Sequence, residues 1–237
     1  MPATRHGPLI ESLLPALWAG AALLAACSIW MSWSEPCSPA VRRTTLDTET
    51  FLSQAAKLPD PALAFAKLYV GEVRSLSEMP QNPRARAQFA SSFNLRTFEY
   101  VSDQDNWGVE DYWAAPLEMA SKGSGDCEDF AFAAFEALAA SGSPPGSLRM
   151  AFARINLEGH IQTHMVLLVL DGPKTWVVDN TREEVADLAD RPDLGIFLSF
   201  DEKSIYVGAS SMVRGRSQAL LPRWRDLLNK AASEGFR

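Results

Sequence analysis

Three residues in this sequence have side chains and settings suited to thiol chemistry: Cys127, His164 and Asp179. Cys127 stands in GSGDCEDFAFAAFEALAAS, residues 123–141, where a glycine-rich turn gives way to Ala, Phe and Leu, which favour helix at nearly every position. That sets the sulfur in the first turn of a buried helix. Unpaired N–H groups and the positive end of the helix dipole stabilise a thiolate there, and the thiolate is the nucleophilic form. Taken alone, the stretch equally suits an inert cysteine, because acids are ordinary in a first helical turn and a lone thiol packs as a small hydrophobe. A nucleophile needs a base. Of the three histidines, His6 precedes an apolar N-terminal stretch, whereas His160 and His164 flank the start of a predicted strand. Those two share a strand face, and His164, inside the apolar HMVLLVL run, is the better fixed. Asp179 ends the next apolar run, WVVDN. Together they supply a thiol, a base to take its proton, and a carboxylate to fix the tautomer of the ring and stabilise its charge. Each has a plainer role as well: a strand-end aspartate forms turns, and a strand histidine is often merely packed.

The elements that must position them follow from pattern. Residues 1–34 contain an uncharged run from Leu13 to Trp33, long enough to span a bilayer as a helix, and are read as a signal peptide or membrane anchor. Leu24-Ala25-Ala26-Cys27 looks like a lipoprotein processing site, while Ile29, Trp30, Met31 and Trp33 prolong the run as a retained anchor would; both readings stand. Residues 35–45 are a polar linker with two prolines, and 46–237 form the globular domain. Its first half reads as helices: one from Leu46 to about Leu58, a second opened by Asp60 and Pro61 and ending near Ser77, and a third over RARAQFASSFNLRTFEYV. SDQDNWGVEDYW then reads as a loop. Asp103, Asp105 and Asp111 within it do not have the spacing of an EF-hand calcium loop and are expected to be solvated turn residues. Beyond the Cys127 helix, Gly142 and Pro144-Pro145 stop the helix and the period changes. Short β-rich runs at Leu148–Leu157, Thr163–Leu170, Thr175–Asp179, Ile196–Phe200 and Ser204–Val207 predict an antiparallel sheet, and residues 222–235 an amphipathic closing helix. Helices first and strands afterwards give an α+β fold. A hairpin across residues 171–174 would bring Asp179 to His164.

Composition narrows the function classes. A chain of 237 residues, 47% apolar, can bury one substantial core. Its formal charge of −7 and scattered basic residues argue against a nucleic-acid partner. With three cysteines and no CxxC pair, neither a zinc knuckle nor a disulfide framework is supported, and a single thiol inside an exported domain calls for a purpose.

In order, DYWAAPLEMASKGSGDCEDFA, HMVLLVL and VVDN resemble the bacterial transglutaminase-like cysteine proteinases. The resemblance runs over about residues 94–194 and includes Asn106-Trp107-Gly108, Asp111-Tyr112-Trp113 and Arg191-Pro192-Asp193-Leu194. It implies a papain-like core of the transglutaminase type, with Cys127 as nucleophile, His164 as base and Asp179 as orienting acid. It also implies calcium held by Asp126 and Glu128, with Asp129 as a candidate third ligand. Carboxylates beside a thiol oppose its ionisation, a bound divalent cation offsets them, and oxygen ligands suit calcium; plain helix capping is the simpler account of the same acids. The implied setting is the periplasm. There the substrate is a very large secreted adhesin, cut in its N-terminal region at a pair of alanines, which frees the cell from a surface and so controls biofilm attachment. The implied partner is an inner-membrane receptor that senses cyclic-di-GMP and sequesters the protease. For the oxyanion, the N–H of Cys127 is the expected donor, with Trp113 or Asn94 as candidates for a second. Two other readings keep the same residues: a transglutaminase or amidase using the same thioester, and a calcium-responsive binding module without catalysis.

Overall fold

A computed structural model describes residues 45–237; the signal or anchor and almost all of the linker lie outside the described residues. Among the described residues no helix is long and apolar enough to cross a membrane. The helical first half comprises α1 (Thr48–Ala55), α2 (Ala62–Glu78) and α3 (Pro83–Thr97). Asp47 caps α1 and Asn82 caps α3, each side chain accepting a first-turn N–H, while α2 begins one residue later than expected, with Pro61 in the capping position. The third helix ends at Thr97, so the predicted continuation through Val101 is replaced by β1 (Glu99–Tyr100) and its flanks. Two short helices that the sequence did not announce follow, α4 (Asp103–Trp107) and α5 (Pro116–Lys122), ended by left-handed Gly108 and Gly123 at φ of 74° and 71°. Then come β2 (Ser124–Gly125) and α6 (Cys127–Ala140).

Past its acidic first turn, α6 is apolar at every position but Glu136, because it is enclosed nearly all round. The phenol of Tyr69 on α2 donates to Ala133 O at 2.9 Å, and Phe132 and Phe135 each meet the buried ring of Trp224 edge-on at 5.6 Å. Trp224 belongs to the closing helix α8 (Pro222–Glu234), which follows the single turn α7 (Ser217–Leu220). The same core encloses two acids, Glu136 of α6 and Glu72 of α2, whose carboxyl groups burial pushes well above the ordinary range.

The second half is one seven-stranded antiparallel sheet. Its strands are β3 (Leu148–Leu157), β4 (His160–Asp171), β5 (Lys174–Val178), β6 (Ala186–Asp187), β7 (Leu194–Phe200), β8 (Ser204–Val207) and β9 (Val213–Arg216). They lie in the order β6-β5-β4-β3-β7-β8-β9, so the expected hairpin is present, with Leu170 opposite Thr175 and Leu167 opposite Val178. Alternation divides each strand between two faces. Met150, Met165, Leu167 and Val178 pack in the main core with α6, while Ala151, Ala153, Ile155, Val166, Leu168 and Val177 form a smaller cluster on the opposite face. Strand β5 stops opposite Leu167, which leaves the edge of β4 uncovered at His164, Met165 and Val166. The candidate catalytic groups gather at that short open edge.

Candidate active site

The nucleophile candidate comes to this edge at the first position of α6. The loop before it is held by the parallel β1–β2 pair, in which Glu99 N donates to Gly123 O at 3.2 Å and Val101 N to Gly125 O at 2.9 Å. Gly125 is required by close approach, since a Cβ there would stand 2.6 Å from Asp129 Oδ2. Asp129 is thereby committed to the loop: Oδ1 accepts from Ala114 N at 2.7 Å and Oδ2 from Asp126 N at 3.4 Å. The Cys127 sulfur lies against the backbone of Met165, whose N–H favours the thiolate, and is bonded to Glu128 Oε2 at 3.1 Å. Burial first, then Glu128 and Asp126, push the thiol well above its ordinary pKa.

One residue away, His164 stands opposite Ala153 and so points to the second face of the sheet, at the rim of the open edge. It is buried and its Nε2 is 2.8 Å from Asp179 Oδ1. Asp179 is the first residue after β5, and three further bonds hold it. Thr181 donates to Oδ1 from N at 2.9 Å and from Oγ1 at 2.8 Å, and Arg191 Nη2 donates to Oδ2 at 2.7 Å. Burial alone would push this carboxyl up; the bonds from His164, Thr181 and Arg191 outweigh it and keep the group ionised far below the usual carboxylate range. With Nε2 engaged, Nδ1 is the ring atom left for proton exchange. The described contacts therefore join His164 to Asp179 directly and set Cys127 beside the next residue, its sulfur turned toward Glu128 and with no hydrogen bond to the ring. His160 is exposed at the start of β4 and takes no part.

Beyond the sulfur is a pit of acids. Oxygens of Asp103, Asp126 and Asp129 lie within 4.8 Å of one another, as do those of Asp103, Asp111 and Glu128. Asp103 corrects an expectation: it is no solvated turn residue but only 2% exposed, held through Oδ2 by the N–H of Tyr112. Asp105 and Asp111 remain exposed, and Asp111 pairs with Arg223 at 2.6 Å. Oδ1 of Asp103 and Oδ1 of Asp126 are buried with no partner. Burial, then the charges of Glu128, Asp129 and Asp103, push Asp126 up to about 9. Clustered hard oxygens, two of them unsatisfied, are a donor set that fits a hard divalent cation such as calcium.

A cavity of about 10 Å³, room for one water, adjoins the sulfur and is lined by Asn94, Met165 and Asn180 among others. Asn94 Nδ2 donates to Phe130 O at 3.1 Å and its Oδ1 is unpartnered, while the ring of Trp113 packs near Phe152 and Phe200 at 6.0 and 6.2 Å.

Comparison with known proteins bears on this arrangement. The profile of the bacterial transglutaminase-like cysteine proteinases matches residues 72–192, more than half of the chain and all of the elements just described from α3 to Arg191. The chain belongs to that family. Among solved structures, the proteinase is similar to Legionella pneumophila LapG in an EGTA-treated form, with 26% identity and a TM-score of 0.68 over 79% of this chain and 99% of that one. The calcium-bound form of Legionella LapG gives 26% identity and a TM-score of 0.65 over 77% and 98%. No curated protein matches by sequence. The papain-like, transglutaminase-type core and the cysteine peptidase class expected from sequence are thus the observed ones.

Proposed function

We propose that this proteinase is a calcium-dependent endopeptidase of the periplasm that cuts a large secreted adhesin near its N-terminus, with Cys127, His164 and Asp179 as its catalytic residues. The supporting observation is the meeting, at one open strand edge, of the buried His164–Asp179 pair at 2.8 Å with a first-turn cysteine. In the reaction, His164 takes the thiol proton through Nδ1, and the sulfur adds to the carbonyl of the scissile bond. The N–H of Cys127 faces the developing oxyanion. The protonated ring returns its proton to the departing amine, leaving a thioester, and then serves as base for the water that hydrolyses it. Asp179 holds the ring in the required tautomer throughout.

Calcium would be held by Asp126 and Glu128 with Asp103, and its charge would offset the carboxylates that keep the thiol protonated. The 26% identity to a protein solved both calcium-bound and EGTA-treated favours this metal. The proposed partner is an inner-membrane receptor that responds to cyclic-di-GMP and holds the protease away from its substrate.

The test is cleavage of an adhesin N-terminal fragment containing an Ala-Ala pair by the full chain. Expected are discrete products with calcium, and none with EGTA, with Cys127→Ala or with His164→Ala. Cleavage that survives Cys127→Ala would refute the assignment, and cleavage indifferent to EGTA would refute the metal.

A further inference from the structure

Arg191 forms part of a motif singled out in the sequence but has no role in the mechanism above. It is a large side chain, 1% exposed, set in the turn between β6 and β7, and it links two acids. Nη2 reaches Asp179 Oδ2 at 2.7 Å and Asp193 Oδ2 at 2.9 Å, while Nε lies 3.0 Å from Asp193 Oδ1. Asp193 is backed in turn by Arg182 at 3.2 Å. From the reacting end outward the row is imidazole, carboxylate, guanidinium, carboxylate, guanidinium, and signs alternate along it once the ring is protonated.

We propose that Arg191 is the positioning residue of this site: by clamping the oxygen of Asp179 that does not face the ring, it fixes the carboxylate's orientation and sets how tightly His164 holds its proton. The inference rests on the catalytic reading of His164 and Asp179 given above. A buried carboxylate with a single imidazole partner can rotate about its last bond. One oxygen here is taken by His164 and Thr181, the other by Arg191, and a planar fork anchored on Asp193 leaves that second bond no freedom. The electrostatic part is as direct. When His164 loses its proton, Asp179 stays charged in a buried place, and the guanidinium is then its remaining cationic partner. Arg191 therefore makes the neutral ring easier to reach.

Two substitutions should move the same quantity in opposite directions. Arg191→Met removes the cation, so the alkaline limb of kcat/KM should rise by about one pH unit, with kcat per titrated active site down roughly 10- to 100-fold and KM little changed. Asp193→Asn alters a partly exposed carboxylate and leaves Arg191 uncompensated, so the alkaline limb should fall, by about half a unit. Arg191→Lys should keep the limb in place while lowering kcat, because charge is retained and the fork is lost. A purely structural role would lower the titrated site count and leave limb and kcat per site unchanged. Should Arg191→Met not fold, Asp193→Asn and Arg191→Lys decide alone: an unmoved limb in the first, or undiminished kcat per site in the second, overturns the proposal. Failure of the underlying reading is separately visible, since cleavage would then survive His164→Ala.

Discussion

Glu128→Gln separates the two effects of the acid beside Cys127. The native carboxylate lies 3.1 Å from the Cys127 sulfur and is buried. Two unit charges at that distance repel by about 1.3 kcal/mol at the dielectric of water and about 5 kcal/mol at an effective value of about 20. Removing the charge should therefore lower the thiol pKa by about 1 to 4 units. A less basic thiolate is a weaker nucleophile, with a Brønsted slope of about 0.4–0.5, so about half of the logarithmic gain remains and alkylation below the thiol pKa should speed up roughly 3- to 100-fold. The assay is iodoacetamide labelling in EGTA, with Cys27 and Cys37 replaced by serine so that only Cys127 reports. Calcium should accelerate the native protein strongly and the variant weakly, because a neutral amide oxygen is a poorer calcium ligand and leaves no charge at residue 128 for the ion to offset. A variant that alkylates no faster than native in EGTA would refute the electrostatic account of the raised thiol pKa.

Two further outcomes follow from burial and close approach. Gly125→Ala should cost about 1–3 kcal/mol in urea unfolding and reduce cleavage, because the new methyl would meet Asp129 Oδ2 at 2.6 Å; unchanged stability would mean the loop gives way freely. Among the buried acids, Glu234 is pushed by burial up to about 8 from an ordinary 4.5, and Glu136 and Glu72 are raised as well. A carboxyl with a raised folded pKa keeps a proton that the unfolded chain has released, so its stabilising share is whole below the ordinary value and is lost as pH rises through the folded one. The melting temperature in saturating calcium should thus fall between about pH 4.5 and about 8, less steeply in Glu136→Gln, and a flat or rising profile would contradict the burial argument.

The legible part of this protein was the part governed by local chemistry and period. The α6 start at Cys127, the β4–β5 hairpin and the closing helix are written in glycine turns, alternation and an amphipathic stripe. Asp103 was misread because its surroundings look like a solvated loop. The parallel pairing of residues 99–100 with 124–125, joined by two bonds between Asn106 and Ser124, carries it beside Cys127, and a two-residue pairing has no sequence period. Arg191 was noticed as part of a motif but given no role, since the carboxylate it clamps precedes it by twelve residues on a separate segment. The short helices α4 and α5 escaped because one or two turns are decided by caps and packing rather than by a stripe.

That two-residue pairing has a mechanical meaning. Two backbone bonds, at 3.2 and 2.9 Å, fasten the strand leading to Asp103 onto the strand leading to Cys127, so pit and sulfur ride on a single stiff bracket. An ion drawing those carboxylates together needs no lever arm or distant hinge to be felt at the thiol. Its arrival and the sulfur's release from Glu128 would be the same event, seen from the two ends of one peptide turn.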